Sequence, residues 1–247
     1  MKLLYIPQKG NEHPWMTDFL EAVGDGATVL IFDHGKPVAG QFEGIDYVVE
    51  LGGKVATHQM IDAAAAEGIT FWQIQGTGMD HVDIPYFEKK GIRIANTPGQ
   101  FSSVALAEHA IYFMLCLTKH LSQTAKCLAS GTFFGPTSED LEGLTLGLIG
   151  LGASGKDLTR RAWPFGMKLM AIDAVDIPQS TLDELHIAFF GGPGDLNRLL
   201  AESDIVSIHV PLLPSTRHLI NKAALERMKS SAYLINVARG PIVDQDA

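Results

Sequence analysis

Three glycines and one aspartate are spaced as the binding of a dinucleotide requires. Gly150, Gly152 and Gly155 form the pattern G-x-G-x-x-G directly after an apolar run. The first glycine of this pattern permits a tight turn, the second lets backbone N–H groups approach a pyrophosphate, and the third allows close helix packing. Asp173 follows about 20 residues later, where a carboxylate would accept hydrogen bonds from ribose hydroxyls. The spacing predicts a dinucleotide site, with a purely structural glycine turn as the alternative.

These four residues need a strand, a helix and a second strand to position them. Residues 144–149 predict a buried strand before the glycines, and residues 167–172 predict a second strand that ends at Asp173. The helix between the two strands would direct the positive end of its dipole at the phosphates.

Polar residues also follow two later predicted strands. The strand expected at 204–210 ends in His209 and is followed by Pro211, and the strand expected at 232–237 leads to Arg239. Both ends would lie at the carboxyl edge of a parallel sheet, where doubly wound folds bind ligands. Arg239 would present a planar, permanently charged fork that matches a carboxylate. An arginine just past a strand is more often a solvated surface residue, so that alternative stays open.

A further glycine pair lies in the first half of the chain. Gly76 and Gly78 come directly after the strand expected at 70–75. Exposed backbone N–H groups in such a loop can receive an anion. An ordinary glycine turn explains the local pattern equally well.

Short apolar strands alternate with amphipathic helices along the chain, which predicts parallel α/β sheets. In the first half, strands are expected at 2–6, 28–32, 46–50, 70–75 and 92–96, with helices at 14–23, 58–67 and 84–90. In the second half, strands are expected at 144–149, 167–172, 187–190, 204–210 and 232–237. A long helix over about 101–129 is expected to connect the two halves. Pro98 and Gly99 mark the boundary, giving domains 1–98 and 99–247, both doubly wound.

Composition excludes several classes of protein. The 247 residues are 46% hydrophobic and 19% charged, as in a folded globular chain, and the net charge of −9 argues against non-specific nucleic-acid binding. The two cysteines, Cys116 and Cys127, have no metal-ligand spacing and are interpreted as reduced thiols, so no metal is expected. The apolar runs are too short to span a bilayer. A cytoplasmic protein without a membrane partner is expected.

The ordered motifs GTGMDHVD, GIRIANTPG, SVALAEHA, LEGLTLGLIGLGASG, GMKLMAID, SDIVSIHVPLLPSTRHLI and NVARGPIVDQDA resemble those of the D-isomer-specific 2-hydroxyacid dehydrogenase family. The resemblance covers most of the chain, residues 1–60 being less distinctive. It implies a flavodoxin-like substrate domain, a Rossmann domain that carries NAD, and an active site in the cleft between them. The activity it implies is hydride transfer between NAD and a small 2-hydroxy or 2-oxo acid.

The resemblance also implies roles for individual residues. It places Arg239 as the active-site arginine, and Gly76, Thr77 and Gly78 in the substrate-binding loop. The cofactor-binding residues that it implies are Gly150, Gly152, Ala153, Ser154, Gly155, Asp173, His209, Pro211, Thr216, Val237, Ala238 and Arg239. A homodimer is expected for the complete protein.

Two departures from the family pattern are visible. Ser154 stands where the family has a branched apolar residue, which we expect to be tolerated. The sequence ends at Ala247, before the positions where the family has its catalytic glutamate, catalytic histidine and final Rossmann strand. The chain is therefore expected to be the N-terminal part of a longer protein, with His81, His109 and His209 as structural residues. A non-enzymatic NAD-binding module and an inactive fragment remain alternatives.

Overall fold

The computed structural model describes residues 1–10, 14–52 and 56–247. The chain divides into two compact units, Met1–Pro98 and Gly99–Ala247. Each unit contains a parallel sheet with five strands among the described residues, so the α/β fold expected from the sequence is confirmed. Within the described part of the chain, no helix combines the length and apolar character needed to cross a membrane.

The sheet of the first unit has the order β2-β1-β3-β4-β5, with every neighbouring pair parallel. Its strands are β1 (Lys2–Ile6), β2 (Thr28–Ile31), β3 (Tyr47–Glu50), β4 (Phe71–Ile74) and β5 (Arg93–Asn96). The helices of this unit are α1 (Trp15–Val23), α2 (His58–Ala66) and α3 (Ile84–Lys89). This strand order is that of flavodoxin, as the resemblance implied.

Side-chain alternation places one hydrophobic cluster of the first unit on one face of its sheet. Leu4, Val48 and Trp72 are fully buried there and cluster with Met60 of α2 and Phe87 of α3. Both helices begin where a side chain accepts a backbone hydrogen bond, Thr57 for α2 and Asp83 for α3. Such caps satisfy N–H groups that the helix itself leaves unpaired. The two caps therefore fix where α2 and α3 begin.

The sheet of the second unit has the order β10-β9-β6-β7-β8, again parallel throughout. Its strands are β6 (Thr145–Ile149), β7 (Lys168–Ile172), β8 (Ile187–Gly191), β9 (Ile205–Ile208) and β10 (Tyr233–Asn236). Its helices are α4 (Ser103–Thr118), α5 (Leu121–Ala129), α6 (Ala153–Ala162), α7 (Gln179–Glu184), α8 (Leu196–Glu202) and α9 (Lys222–Leu225). Numbered within the unit, the order is 3-2-1-4-5, the Rossmann arrangement.

The single connector helix expected over about 101–129 is wrong, because the structure has two helices there. His120 has a φ of +48°, and a left-handed residue cannot continue a right-handed helix. The Lys119 ammonium beside the break donates to the Glu139 carbonyl at 2.6 Å and to the Asp140 carboxylate at 2.8 Å. The first helix, α4, is also more than a connector, since Ala107, Ala110 and Met114 are fully buried in the core of the second unit.

Candidate cofactor-binding site

The turn after β6 requires glycine at its first position. Gly150 has a φ of +100°, in the region that favours glycine. A Cβ at this position would lie 2.9 Å from both the carbonyl carbon and the carbonyl oxygen of His209. The first glycine of the pattern therefore serves the turn and its close approach to the segment after β9.

The other two glycines of the pattern differ in their surroundings. In α6, a Cβ on Gly155 would collide with the carbonyl oxygen of Gly150. Gly152 caps the same helix with φ −73° and ψ −159°, a conformation open to other residues, and a Cβ there would meet nothing within 4 Å. Steric contacts within the protein thus explain why glycine is needed at positions 150 and 155. They do not explain the glycine at position 152. The open space in front of the α6 N-terminus is the kind of cradle that a pyrophosphate occupies.

Asp173 directly follows β7 and is tied to the glycine turn. Its Oδ2 accepts a hydrogen bond from the Leu151 N–H at 2.7 Å, and its Oδ1 accepts one from the Val175 N–H at 3.0 Å. Each carboxylate oxygen has a further lone pair that can accept from a hydroxyl. Asp173 is therefore fixed beside the cradle with acceptor capacity left over.

His209 lies just beyond β9, which ends at Ile208 and not at 210 as the sequence suggested. Its Nδ1 is 3.0 Å from the Ser154 Oγ, and its Nε2 is 2.8 Å from the Ser207 Oγ. Burial lowers the pKa of His209 to about 4. The imidazole is therefore neutral at physiological pH, held between two hydroxyls under the glycine turn.

The segment after His209 is closed by Thr216. The Thr216 hydroxyl donates to the Pro211 carbonyl at 2.7 Å and accepts from the Leu213 N–H at 2.8 Å. Thr216 thus shapes this turn, and its contact with a cofactor remains a prediction.

Asn236 shapes the segment that carries Arg239. Its side-chain carbonyl accepts from the Ala238 N–H at 3.0 Å, and its amide donates to the Arg239 carbonyl at 2.8 Å. The Arg239 guanidinium is half-buried and donates to the Ala238 carbonyl at 3.0 Å. Val237 and Ala238 pack against the core of the unit. Arg239 therefore projects from a backbone that is fixed by local hydrogen bonds.

The loop with Gly76, Thr77 and Gly78 lies in the other unit, after β4. The Gly76 carbonyl accepts from the Thr97 N–H at 3.2 Å, and the Thr77 carbonyl accepts from the Asn96 amide at 2.7 Å. These bonds engage carbonyl groups of the loop. The anion-binding role of the loop remains a prediction.

The structure thus brings together Gly150, Gly152, Gly155, Asp173 and His209, with Ala153 and Ser154 in the first turn of α6. Sequence reasoning missed Leu151, Ser207 and Asn236. The signal for Asn236 was available, because asparagine side chains commonly bond the backbone two residues on. Nothing local marked Ser207, which is a single serine among the apolar residues of β9.

A family model described as the D-isomer specific 2-hydroxyacid dehydrogenase NAD binding domain matches residues 111–247. Among curated proteins, the hydroxypyruvate reductase of Thermotoga maritima is 37% identical over 174 residues, covering 70% of this chain and 54% of that protein. The glyoxylate reductase of Thermofilum pendens is 37% identical over 192 residues, covering 74% of this chain and 54% of that protein. The chain thus spans about half the length of these relatives.

Solved structures resemble the chain over its whole length. The apo D-lactate dehydrogenase of Escherichia coli superposes with a TM-score of 0.81 at 27% identity, covering 100% of this chain and 77% of that one. The D-lactate dehydrogenase of Aquifex aeolicus, in complex with NAD and lactic acid, gives a TM-score of 0.79 at 28% identity. The match covers 99% of this chain and 71% of that one.

Proposed function

Because the chain belongs to the D-isomer-specific 2-hydroxyacid dehydrogenase family, we propose that it transfers a hydride between NAD and a small 2-hydroxy or 2-oxo acid. The observation that carries this proposal is the open cradle over Gly152, at the N-terminus of α6 and beside Asp173. Relatives named as hydroxypyruvate and glyoxylate reductases, and a neighbour solved with NAD and lactic acid, support the same chemistry.

Residues of both units have parts in the proposed reaction, most of them in the second unit. The first N–H groups of α6 and the glycine turn bind the pyrophosphate of NAD, and Asp173 accepts from its adenosine ribose. Bound NAD supplies the hydride chemistry. Arg239 binds the substrate carboxylate and stabilises negative charge that develops on the carbonyl oxygen. The backbone of Gly76 and Thr77 donates to the same class of anion.

The test is the oxidation of NADH by the natural protein, expressed from its own gene, with glyoxylate, hydroxypyruvate and pyruvate as substrates. NADH binding with turnover of at least one acid is expected. Binding without turnover of any 2-oxo acid would instead favour a non-enzymatic NAD-binding module of the same fold. Absence of NADH binding would contradict the proposal altogether.

Asp173 should make the protein prefer NAD over NADP. A 2′-phosphate would meet a fixed carboxylate, and such a like-charge contact costs about 1–3 kcal/mol, which is roughly 5- to 150-fold in affinity. Asp173→Asn should reduce the difference in affinity between NAD and NADP. Asp25→Asn, which changes an exposed residue of the other unit, should leave that difference as it is. Titration of both cofactors measures this. Equal binding of NAD and NADP by the unchanged protein would refute the role of Asp173.

Arg239→Lys should lower kcat/KM for the preferred acid by roughly 20-fold, because lysine keeps the charge but loses the two-pronged geometry. The dissociation constant of NAD should change by less than about twofold, since the lost contact is with the substrate. Arg217→Lys, at an exposed position in the same unit, is the matched control. Wild-type kcat/KM in the Arg239→Lys variant would remove Arg239 from the proposed site.

A homodimer is the proposed assembly, with the apolar surface at and after α5 in its interface. Phe133 and Phe134 are 91% and 94% exposed, and Leu121 and Leu128 of α5 are exposed nearby in sequence. Adjacent exposed aromatic rings mark association surfaces. The double change Phe133→Ser and Phe134→Ser should halve the mass measured by light scattering. An unchanged mass would place any interface elsewhere.

A cytoplasmic location also remains a proposal, for cell fractionation to test.

A further inference from the structure

Two hydrogen bonds connect three side chains beneath the cofactor cradle. They join a hydroxyl to an imidazole, and that imidazole to a second hydroxyl. The Ser154 Oγ is 3.0 Å from the Nδ1 of His209, whose Nε2 is 2.8 Å from the Ser207 Oγ. Ser154 lies in the first turn of α6, whereas Ser207 is a buried residue of β9. The chain of contacts therefore joins the phosphate-facing helix to the neighbouring strand.

The backbone of His209 is fixed to the glycine turn as well. Its N–H donates to the Ile149 carbonyl at 2.8 Å. Its carbonyl group lies so near Gly150 that a Cβ there would come within 2.9 Å of it. The glycine turn thus fixes the backbone of His209, and the two serines fix its ring. Together these contacts hold the ring in a single orientation.

A neutral imidazole carries one donor and one acceptor nitrogen. A serine hydroxyl can donate or accept, so one serine serves the N–H and the other serves the bare nitrogen. Burial lowers the pKa of His209 to about 4, which keeps the ring in this neutral form. Without the Ser154 hydroxyl, Nδ1 would lose its protein partner in a part-buried site, and leaving such a group unpaired is costly.

We propose that Ser154 is a positioning residue for NAD, whose hydroxyl holds the His209 ring and so ties the first turn of α6 to the end of β9. The two segments that this contact joins are the phosphate-binding turn and the segment from His209 to Thr216. Movement of one against the other would displace the N–H groups of the helix from the pyrophosphate. The inference rests on the proposed NAD site.

The test uses an isosteric pair, because threonine and valine have the same shape and differ only in that valine has a methyl group where threonine has the hydroxyl. Ser154→Thr should bind NAD within twofold of the unchanged protein. Ser154→Val should bind roughly 3- to 10-fold more weakly, the effect of one neutral hydrogen bond. Both variants carry a β-branched residue on α6, so their helix propensities match. Titration calorimetry gives the affinities, and thermal unfolding shows that both variants fold.

A second readout follows the imidazole itself. The ¹⁵N NMR signals of His209, assigned by their loss in His209→Phe, should shift in Ser154→Val but stay in place in Ser154→Thr. If His209→Phe folds, the difference in affinity between the two Ser154 variants should disappear in its background, because the hydroxyl acts through the ring.

Equal NAD affinity in Ser154→Val and the unchanged protein would overturn the inference, as would equal weakening in both Ser154 variants. Unshifted His209 signals in Ser154→Val would also overturn it. Failure of the unchanged protein to bind NAD is a different result, because it would contradict the proposed function itself.

Discussion

Gly152→Ala should weaken NAD binding by roughly 100-fold without loss of stability. A Cβ at this position meets no protein atom within 4 Å, and a φ of −73° with a ψ of −159° is open to alanine. The added methyl group would instead occupy the space in front of the α6 N-terminus. Displacing a phosphate from one or two charged hydrogen bonds costs about 2–3 kcal/mol, which corresponds to the expected loss of affinity.

Two further glycines make this prediction specific. Gly26→Ala is the matched control, since a Cβ there also meets nothing within 4 Å and the residue lies in the other unit. Gly155→Ala should lower the free energy of unfolding, because its Cβ would collide with the Gly150 carbonyl oxygen. NAD affinity comes from calorimetry and stability from urea denaturation. Wild-type affinity in Gly152→Ala would show that the cradle does not hold the cofactor.

The sequence predicted the two sheets well because their strands are apolar runs with clear turn signals. Strands β6 and β7 begin and end within one residue of expectation, and the glycine pattern fixed the turn between them. The break between α4 and α5 was missed because neither glycine nor proline marks it. His120 adopts its left-handed conformation in a segment tied by Lys119 to residues 139 and 140, and no local pattern reveals such a contact.

The same limit applies to the site. Gly150, Gly155 and Asp173 were readable because their roles depend on local spacing. The role of Ser154 was not, because its partner His209 lies 55 residues away. Glu50 was also missed, although alternation in β3 places it on the same face as the buried Val48. Its partner Trp72 is 22 residues further along the chain.

Glu50 is a buried carboxyl group at the carboxyl end of β3. It is 1% exposed, and its Oε2 accepts from the Trp72 indole N–H at 3.2 Å. Its Oε1 has no hydrogen-bond partner among the described residues. Burial raises the pKa of Glu50 from the usual 4.5 to about 7, and hydrogen bonds from the Trp72 side chain and the Ala56 backbone oppose this rise only in part. Between about pH 4.5 and pH 7, the folded protein therefore keeps a proton on Glu50 that the unfolded chain releases.

Glu50→Gln should make the protein more stable than the wild type at pH 8, by about 3 kcal/mol. The unfolded chain loses the Glu50 proton near pH 4.5, whereas the folded chain holds it until about pH 7. The free energy of unfolding therefore falls as the pH rises between these values and levels off above them. Glutamine is neutral at every pH and still offers the Trp72 N–H an acceptor. The variant therefore does not lose free energy of unfolding as the pH rises, a loss that is about 1.4 kcal/mol for each unit of pKa shift in the wild type.

Urea denaturation at pH 4.5 and pH 8, followed by tryptophan fluorescence, measures this difference. At pH 4.5 both proteins carry a largely neutral side chain when folded, so their stabilities should agree within about 1 kcal/mol. Glu43→Gln, at an exposed position in the same unit, should show no gain at either pH, because a solvated carboxylate has no burial penalty to lose. A Glu50→Gln variant that is no more stable than the wild type at pH 8 would mean that the buried carboxylate is compensated in its charged form.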